Sequence, residues 1–405
     1  MDIKAMDVPS LRKTILQTEG DVAGVPEREA AITRLCELLV EKQDAQALAE
    51  LLSQLRGFFG AIPKAKTAKI VRNIIDSIAK VPGSTQLLVD VCKEQVEWAK
   101  VEKRAFLRQR IELRLASLYL DNKDFQASLA LISTVLSEVK KLDDKLLLVD
   151  IHLLESRCHH MLRNTPKARA ALTAARTAAN AIYVPVQLQA EIDSQSGTLA
   201  ADEKDQKTAF SYFFEAFEQF SALNEPKALP MLKYMLLCKI MMNDAHEVPA
   251  IINSKAGLKY TGRHVDAMKL VAKAYQDRSL QEFQDVLNQY PDELAGDTII
   301  NHHLSALYDT LLEQNLMRLI EPFSRAEIAH IAKLIALPAD RVESKLSQMI
   351  LDKKLRGTLD QGAGSLEIFD VSPPDNVYPT SLEVFESLGR VVDTLFSRSQ
   401  KIVAV

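Results

Sequence analysis

The chain has 405 residues, 47% of them hydrophobic, with only 13 glycines and 15 prolines, about half the usual share of these two helix breakers. That length suits two or three domains with an ample core. A formal net charge of −4, from 50 basic and 54 acidic residues, argues against a chain whose main task is to neutralise a phosphate backbone.

The opening MDIKAMDVPSLRK has no apolar run long enough for a secretory signal, and no stretch of eighteen uncharged apolar residues occurs anywhere. A soluble protein of the cytoplasm and nucleus is expected. Cys36, Cys92, Cys158 and Cys238 are widely spread without C-x-x-C spacing, so they are expected as reduced thiols packed like small hydrophobes. Pro63 starts a helix whose first turns carry Lys64, Lys66, Lys69 and Arg72, offset within the next turn only by Asp76. Such a patch suits an acidic partner, and it also suits a plain solvated helix face. From Lys93 to Arg114, seven basic and four acidic residues surround Trp98, the pattern of a long helix laced with i,i+3 and i,i+4 pairs.

The next feature is a beat. Ala127, Ala168 and Ala209 stand forty-one residues apart, and each has a bulky apolar residue four positions later: Leu131, Leu172 and Phe213. A fixed period near forty describes one helical pair per unit, with an apolar face buried only by its neighbours. Each alanine follows polar turn chemistry: Asp121-Asn122-Lys123-Asp124, Arg163-Asn164-Thr165-Pro166, and Asp202-Glu203-Lys204-Asp205. Upstream, Leu87/Val91 and Ala47/Leu51 continue the step. Downstream it weakens at Ala250, where the position four later is Ser254. Five units are expected, stacked as a right-handed TPR-like solenoid over residues 1–300.

Beyond the repeats, Leu304, Leu307, Tyr308, Leu311, Leu312 and Leu316 predict an amphipathic helix over Asn301 to Leu319, closed by Pro322. Ser324 with Glu327 reads as a capping box opening a helix through Ile328, Ile331 and Ile335 to Pro338. A third helix is expected from Asp340 to Lys354, burying Val342, Leu346, Met349 and Ile350. A hairpin follows, with Leu355, Gly357 and Leu359 on one arm, Leu366 and Ile368 on the other, and Gly362 and Gly364 at the turn. Three helices and a two-stranded wing make a winged-helix module over 301–371. Its third helix sets Arg341, Lys345, Lys353 and Lys354 against Asp340, Glu343 and Asp352, too balanced for a strong grip on nucleic acid. An exposed arm of the wing is better suited to pairing with a neighbouring strand.

Breakers at Pro373, Pro374 and Pro379 precede a second capping box, Thr380 with Glu383, which opens a final helix over 379–405. Its apolar positions Phe385, Leu388, Val392, Leu395 and Ile402 are spaced three, four, three and seven, a heptad seam that either folds back or enters a bundle with partner helices.

The chain presents little that resembles catalysis. Gly257 and Gly262 have phosphate-loop spacing, but Arg263 and His264 replace the lysine and the Ser/Thr, and no strand precedes them. The pairs His159-His160 and His302-His303 are adjacent, an awkward geometry for one metal ion. Cys158 with His159 and His152 is the best thiol–imidazole cluster, but a plain repeat-helix surface is the favoured reading. Neither H-E-x-x-H nor G-x-S-x-G occurs. No catalytic, cofactor or metal site is expected.

A helical-repeat arm running into a winged helix and a terminal helix resembles the PCI family, named after proteasome lid, signalosome and initiation-factor subunits. Within it the chain is most similar to non-ATPase subunits of the proteasome lid. The resemblance rests on FLRQRIELRLASLYLDNKDF from Phe106, PKARAALTAARTAANAIY from Pro166, LKYMLLCKIMMND from Leu232, LLEQNLMRLIEPFSRAEIAHI from Leu311 and KLSQMILDKKLRGTLDQGAGSLEIFD from Lys345. It spans from about Ala30 to the C-terminus. It implies an N-terminal arm to about residue 220, with the helical part of the PCI domain beginning there. It also implies a scaffold rather than an enzyme, whose partners are other PCI lid subunits, a proteasome ATPase subunit and a core-particle α-subunit. Lys64, Lys66, Lys69 and Arg72 match a basic stretch of the family's N-terminal repeats; the wing and the seam match its lateral-contact and bundle elements. By this analogy the middle repeats are spacers, and contacts with the core are expected before Leu87. A scaffold of another PCI complex and a winged-helix nucleic-acid binder are the alternatives.

Overall fold

The computed structural model describes residues 25–59, 62–296, 298–335, 337–369 and 377–403, together with Leu11. Pro373 and Pro374, read as breakers, lie outside the described residues, as does most of the segment before Val25. Two compact units are formed, Met1–Lys269 and Leu270–Val405.

The first unit is a helical-repeat solenoid. Its helices run as pairs: α1 (Val25–Glu41) with α2 (Ala45–Gln54), then after the short α3 (Arg56–Phe59), α4 (Lys64–Ala79) with α5 (Thr85–Val101). The next pairs are α6 (Ala105–Asp121) with α7 (Phe125–Leu142), and α8 (Lys145–Met161) with α9 (Thr165–Asn180). Then come α10 (Val186–Asp202) with α11 (Gln206–Ala222), and α12 (Ala228–Met241) with the abbreviated α13 (Val248–Ile252). The expected five units are present, and the last pair adds a sixth among the described residues.

The repeat is written in the backbone as well as in the side chains. Left-handed residues fall at Gln43, Gly83, Lys103, Lys123, Asp143, Arg163, Lys204, Asn224 and Asn243, spaced by 19 or 20 residues or by 40 or 41. Several of them end a helix in a Schellman turn, in which the following N–H reaches back to the last helical turn. Arg104 donates to the carbonyl of Ala99 (2.9 Å), Asp124 to Tyr119 (2.8 Å), Asn164 to His159 (2.9 Å) and Asp205 to Ala200 (3.0 Å). The next residue often caps the following helix. Asp44, Asp144, Asn164 and Asp205 accept the N–H of Ala47, Leu147, Lys167 and Thr208. One left-handed residue and one capping residue thus turn the chain.

The side-chain register needs one correction. Ala168 and Ala209 are fully buried with Leu172 and Phe213 beside them, but Ala127 is exposed. Ser128 takes its place, fully buried, with Ile132 four residues on. Serine is tolerated there because its hydroxyl donates to the Ala116 carbonyl at 2.9 Å, leaving no unsatisfied buried donor. The same one-residue shift makes Leu88 and Cys92, rather than Leu87 and Val91, the most buried pair of α5. Downstream the buried pair is Val248 and Ile252, and Ala250 is exposed. The core is a relay: one cluster runs from Leu11 and Ile32 to Leu118, a second from Ala116 to Cys158, and a third from Val149 to Leu199. Each repeat is buried only by its neighbours. All four cysteines are buried free thiols.

Helix α14 (Arg263–Gln276) carries the chain into the second unit, which continues with α15 (Leu280–Gln289), α16 (Pro291–Ala295) and α17 (Thr298–Ile320). Leu304, Leu307, Leu311, Leu312 and Leu316 of α17 are buried as the spacing predicts. The winged helix follows: β1 (Arg325–Glu327), α18 (Ile328–Ile335), α19 (Ala339–Leu351), β2 (Gly357–Asp360) and β3 (Ser365–Ile368). The sheet has three strands in the order β1-β3-β2, both pairs antiparallel. The expected capping box, Ser324 with Glu327, therefore opens no helix: Ser324 is a bend and Arg325–Glu327 is a strand. Ala326 faces Leu366 across β3 and is buried, and this long-range pairing overrides the local helix signal.

The final helix, α20 (Val377–Val403), starts before the predicted Thr380 cap and takes Pro379 into its first turn. A proline there forfeits no intrahelical hydrogen bond. Among the described residues, no helix is long and apolar enough to cross a membrane.

Candidate partner surfaces

The basic patch lies on α4, which opens after Pro63 without a side-chain cap. Lys64, Lys66, Lys69 and Arg72 are all exposed, while Ile70, Val71, Ile74, Ile75 and Ile78 bury the other face. Only part of the charge is uncommitted. Lys66 Nζ stands 3.0 Å from Glu29 of α1, and Asp76 is drawn toward Arg114 at 3.9 Å. Exposed pairs of this kind contribute under about 1 kcal/mol and yield readily to a competing partner. Sequence spacing did not foretell the cleft beside the patch, of about 510 Å³, between α1 and α4. Ile32, Val40 and Ile70 line it with Asn73 and Lys80 at its polar side. Cys36 borders it, but burial and the neighbouring Glu37 push that thiol up to about 12, so it stays protonated and unreactive at neutral pH.

In the wing, Leu355 and Leu366 are core residues, Gly357, Leu359 and Ile368 are half-buried, and β3 is the central strand. Gly357 has a packing reason: a Cβ there would meet the Glu367 carbonyl at 2.4 Å. The turn is pinned by Asp360, whose carboxylate accepts the N–H groups of Gly362 (2.9 Å) and Ala363 (3.1 Å). The outer edge of β2 offers the backbone groups that another strand would need.

Two of the three lysines of the nucleic-acid alternative are tied up, while Lys353 is exposed. Glu313 of α17 holds Lys345 at 3.0 Å and Lys354 at 2.5 Å. Burial raises this carboxyl, but the hydrogen bonds from the two lysines outweigh it and hold the group below the usual range.

Helix α20 presents its apolar side to solvent. Phe385, Leu388, Val392 and Leu395 are 54 to 71% exposed, and Leu382, Val384, Val391 and Phe396 widen the seam to about half the helix circumference. The side chain of Ile402 lies outside the described residues.

The chemistry-bearing residues of the sequence are committed to packing. Cys158 is buried with Sγ 3.3 Å from Ser128 Oγ, and burial pushes its thiol up. His152 Nδ1 lies 2.9 Å from Glu155, and His160 Nε2 lies 2.7 Å from Asp202. The thiol and these imidazoles are thus engaged with other groups, and the cluster weighed from the sequence does not assemble. Gly257 sits in a 3₁₀ turn where a Cβ would strike the Ile252 carbonyl at 2.6 Å, so close helix packing accounts for that glycine.

Similarity to known proteins follows the same division of the chain. Residues 6–122 match the 26S proteasome regulatory subunit RPN6 N-terminal domain, and residues 287–370 match the PCI domain. The 26S proteasome non-ATPase regulatory subunit 11 homolog of Arabidopsis thaliana is 60% identical over 396 residues, covering 96% of this chain and 94% of that protein. The 26S proteasome non-ATPase regulatory subunit 11 of Dictyostelium discoideum is 50% identical, covering 96% of this chain and 93% of its own length. The 26S proteasome regulatory subunit RPN6 of Saccharomyces cerevisiae is 47% identical, with 92% of this chain and 87% of its own length covered. With a helical-repeat solenoid, a PCI winged helix and such identity along nearly its whole length, the chain belongs to the family of the 26S proteasome regulatory subunit RPN6, also called non-ATPase regulatory subunit 11.

Proposed function

We propose that the chain is a non-catalytic scaffold of the proteasome lid, in the cytoplasm and nucleus, that clamps the lid and ATPase ring to the core particle in ubiquitin-dependent degradation. The observation that carries this is α20, a terminal helix whose apolar half is exposed in the isolated chain. Such a face calls for partner helices. In this reading α20 joins other PCI subunits in a bundle, and the outer edge of β2 meets a neighbouring subunit. The arm, to about residue 220, reaches an ATPase subunit and an acidic face of a core-particle α-subunit through Lys64, Lys66, Lys69 and Arg72. The PCI domain takes the rest: helical from about 220, winged helix over 301–371, bundle helix over 379–405.

Deleting Thr380 to Val405 tests the reading. The truncated chain should keep its helical content by circular dichroism yet fail to enter the lid in a reconstitution followed by native gel. Normal incorporation would remove the bundle role.

A further inference from the structure

The solenoid carries a second periodic feature, on its outside. Val101, Leu142, Tyr183 and Leu223 are 44 to 90% exposed, and they follow one another at steps of forty or forty-one residues. A second row, Phe106, Leu146 and Val186, is 42 to 66% exposed at steps of forty. Both rows sit where one helix pair hands over to the next: α5 to α6, α7 to α8, α9 to α10, and α11 to α12. Successive helices are antiparallel, so these handovers all lie along the same edge. The turns on the opposite edge are built from Asn122, Lys123, Glu203 and Lys204, and there only Met161 and Leu162 are exposed large apolar residues among the described ones. Scattered exposed apolar residues need no explanation, but an apolar pair recurring at the repeat period on one edge does.

We propose that this edge is a rail for one amphipathic α-helix of another protein chain, with apolar residues at a and d of successive heptads and acidic residues flanking them. The spacing selects a helix. Helix α6 packs on α8, and α8 on α10, so neighbouring rungs are about 8–10 Å apart, and seven residues of α-helix rise about 10.5 Å. Each of the first three rungs offers two apolar side chains, one before and one after the turn, which suits the a/d pair of one heptad. Four rungs span roughly 30 Å, the length of about 20 helical residues. The flanks select the charge. Lys103, Lys140 and Lys141 are exposed beside the first two rungs. Of the nearby acids, Asp144 is turned inward to cap Leu147 and Glu97 faces Lys100 at 2.9 Å, while Glu102 and Asp143 are exposed; Glu102 offsets Lys103, and the second rung, with Lys140 and Lys141 against Asp143, keeps the net positive charge. The middle repeats, expected as spacers, thereby acquire a binding role of their own, independent of the basic patch on α4 and of the seam on α20.

The test uses the full chain and a labelled, stapled helix of about four heptads with Leu at a and d and Glu at e and g, titrated by fluorescence anisotropy. Saturable binding is expected. Val101→Asp, Leu142→Asp and Tyr183→Asp together should weaken it roughly tenfold or more. The fold should survive, because all three side chains are at least half exposed. Lys103→Glu with Lys140→Glu and Lys141→Glu should weaken the Glu-flanked helix and strengthen a Lys-flanked counterpart. The proposal is overturned if the wild-type chain does not bind the helix, or if the three aspartates leave binding unchanged. It is equally overturned if charge reversal shifts both helices in the same direction, or if a proline-broken peptide of the same composition binds as tightly.

Discussion

Gly197, in the buried middle of α10, packs directly against Phe213 of its partner helix α11. A Cβ at that position would lie 2.8 Å from both Cδ1 and Cε1 of Phe213, and 3.0 Å from its Cζ. The ring has little room to yield, being 1% exposed and packed 5.3 Å from the ring of Tyr234. Gly197→Ala sets two effects against each other. Replacing glycine inside a helix gains about 1 kcal/mol of propensity, while overpacking a filled site costs about 1–3 kcal/mol. The net expectation is a destabilisation of roughly 1 kcal/mol, confined to α10, α11 and their neighbours. In a Phe213→Leu background the steric cost disappears and the propensity gain remains, so the same Gly197→Ala change should stabilise by up to about 1 kcal/mol. A repeat array of this size does not melt as one two-state unit, so the assay is native-state hydrogen exchange by mass spectrometry on peptides from α10 and α11. A stabilising Gly197→Ala in the wild-type background, or equal effects in both backgrounds, would refute the assignment of Phe213 as the constraint.

Other outcomes follow from single groups. Burial, with Glu191 as the next cause, raises Asp150 to about 6. Because its folded pKa lies above the unfolded one, the ionised group costs stability at high pH, and that cost fades as pH falls through 6 toward the ordinary aspartate value. Asp150→Asn should therefore stabilise by on the order of 1–3 kcal/mol at pH 7.5 and by about a third of that at pH 4.5, read by native-state hydrogen exchange on α8 peptides across a pH series corrected for intrinsic rates. Lys204 holds a left-handed conformation, φ 67°, on the surface. Lys204→Gly should raise stability by roughly 0.5–1 kcal/mol, and Lys204→Val should lower it; exchange rates at the C-terminal end of α10 report both. Reversing Lys64, Lys66, Lys69 and Arg72 to glutamate should weaken attachment of regulatory particle to core more at low than at high salt in a pull-down, and equal attachment at both would retire the patch.

The repeat was legible because its turns carry residues with one task each: an Asp or Asn that caps, preceded by a residue that accepts a left-handed backbone. The register within a helix was less so. Ala127 and Ser128 are both small, and it is distant partners, the Ala116 carbonyl twelve residues back and the Cys158 thiol, that make the serine acceptable inside. Strand β1 was hidden for a related reason, since three residues with a single buried side chain give no period, and their partner lies some forty residues further on. The candidate partner surfaces were legible in part. Charge spacing located the α4 patch, but it did not show that Lys66 already faces Glu29. Nor did the spacing of Lys345 and Lys354 show that both converge on Glu313. The exposed edge rows share the period of the buried ones, so their signal was present in the sequence; exposure is what separates them from core.

The polar groups buried inside the solenoid bear on what its outside can do. Apolar contacts between repeats are non-directional and leave the pitch of a stack loosely specified, whereas a side-chain hydrogen bond restricts distance and angle together. His160 and Asp202 link α8 to α10 at 2.7 Å with side chains only 10 and 9% exposed. Glu191 of α10 receives Arg157 from α8 at 3.0 Å and Lys227, at the mouth of α12, at 2.5 Å. These contacts tie three successive repeats at fixed offsets, His160–Asp202 at the ends of α8 and α10 away from the rungs and Glu191–Lys227 close to the rung at Leu223. A partner helix with a rigid heptad gains from evenly spaced rungs and loses contacts if the spacing drifts. Ionisable residues that elsewhere would suggest chemistry are used here to set a pitch, and a fixed pitch is what an arm needs to present distant surfaces in register.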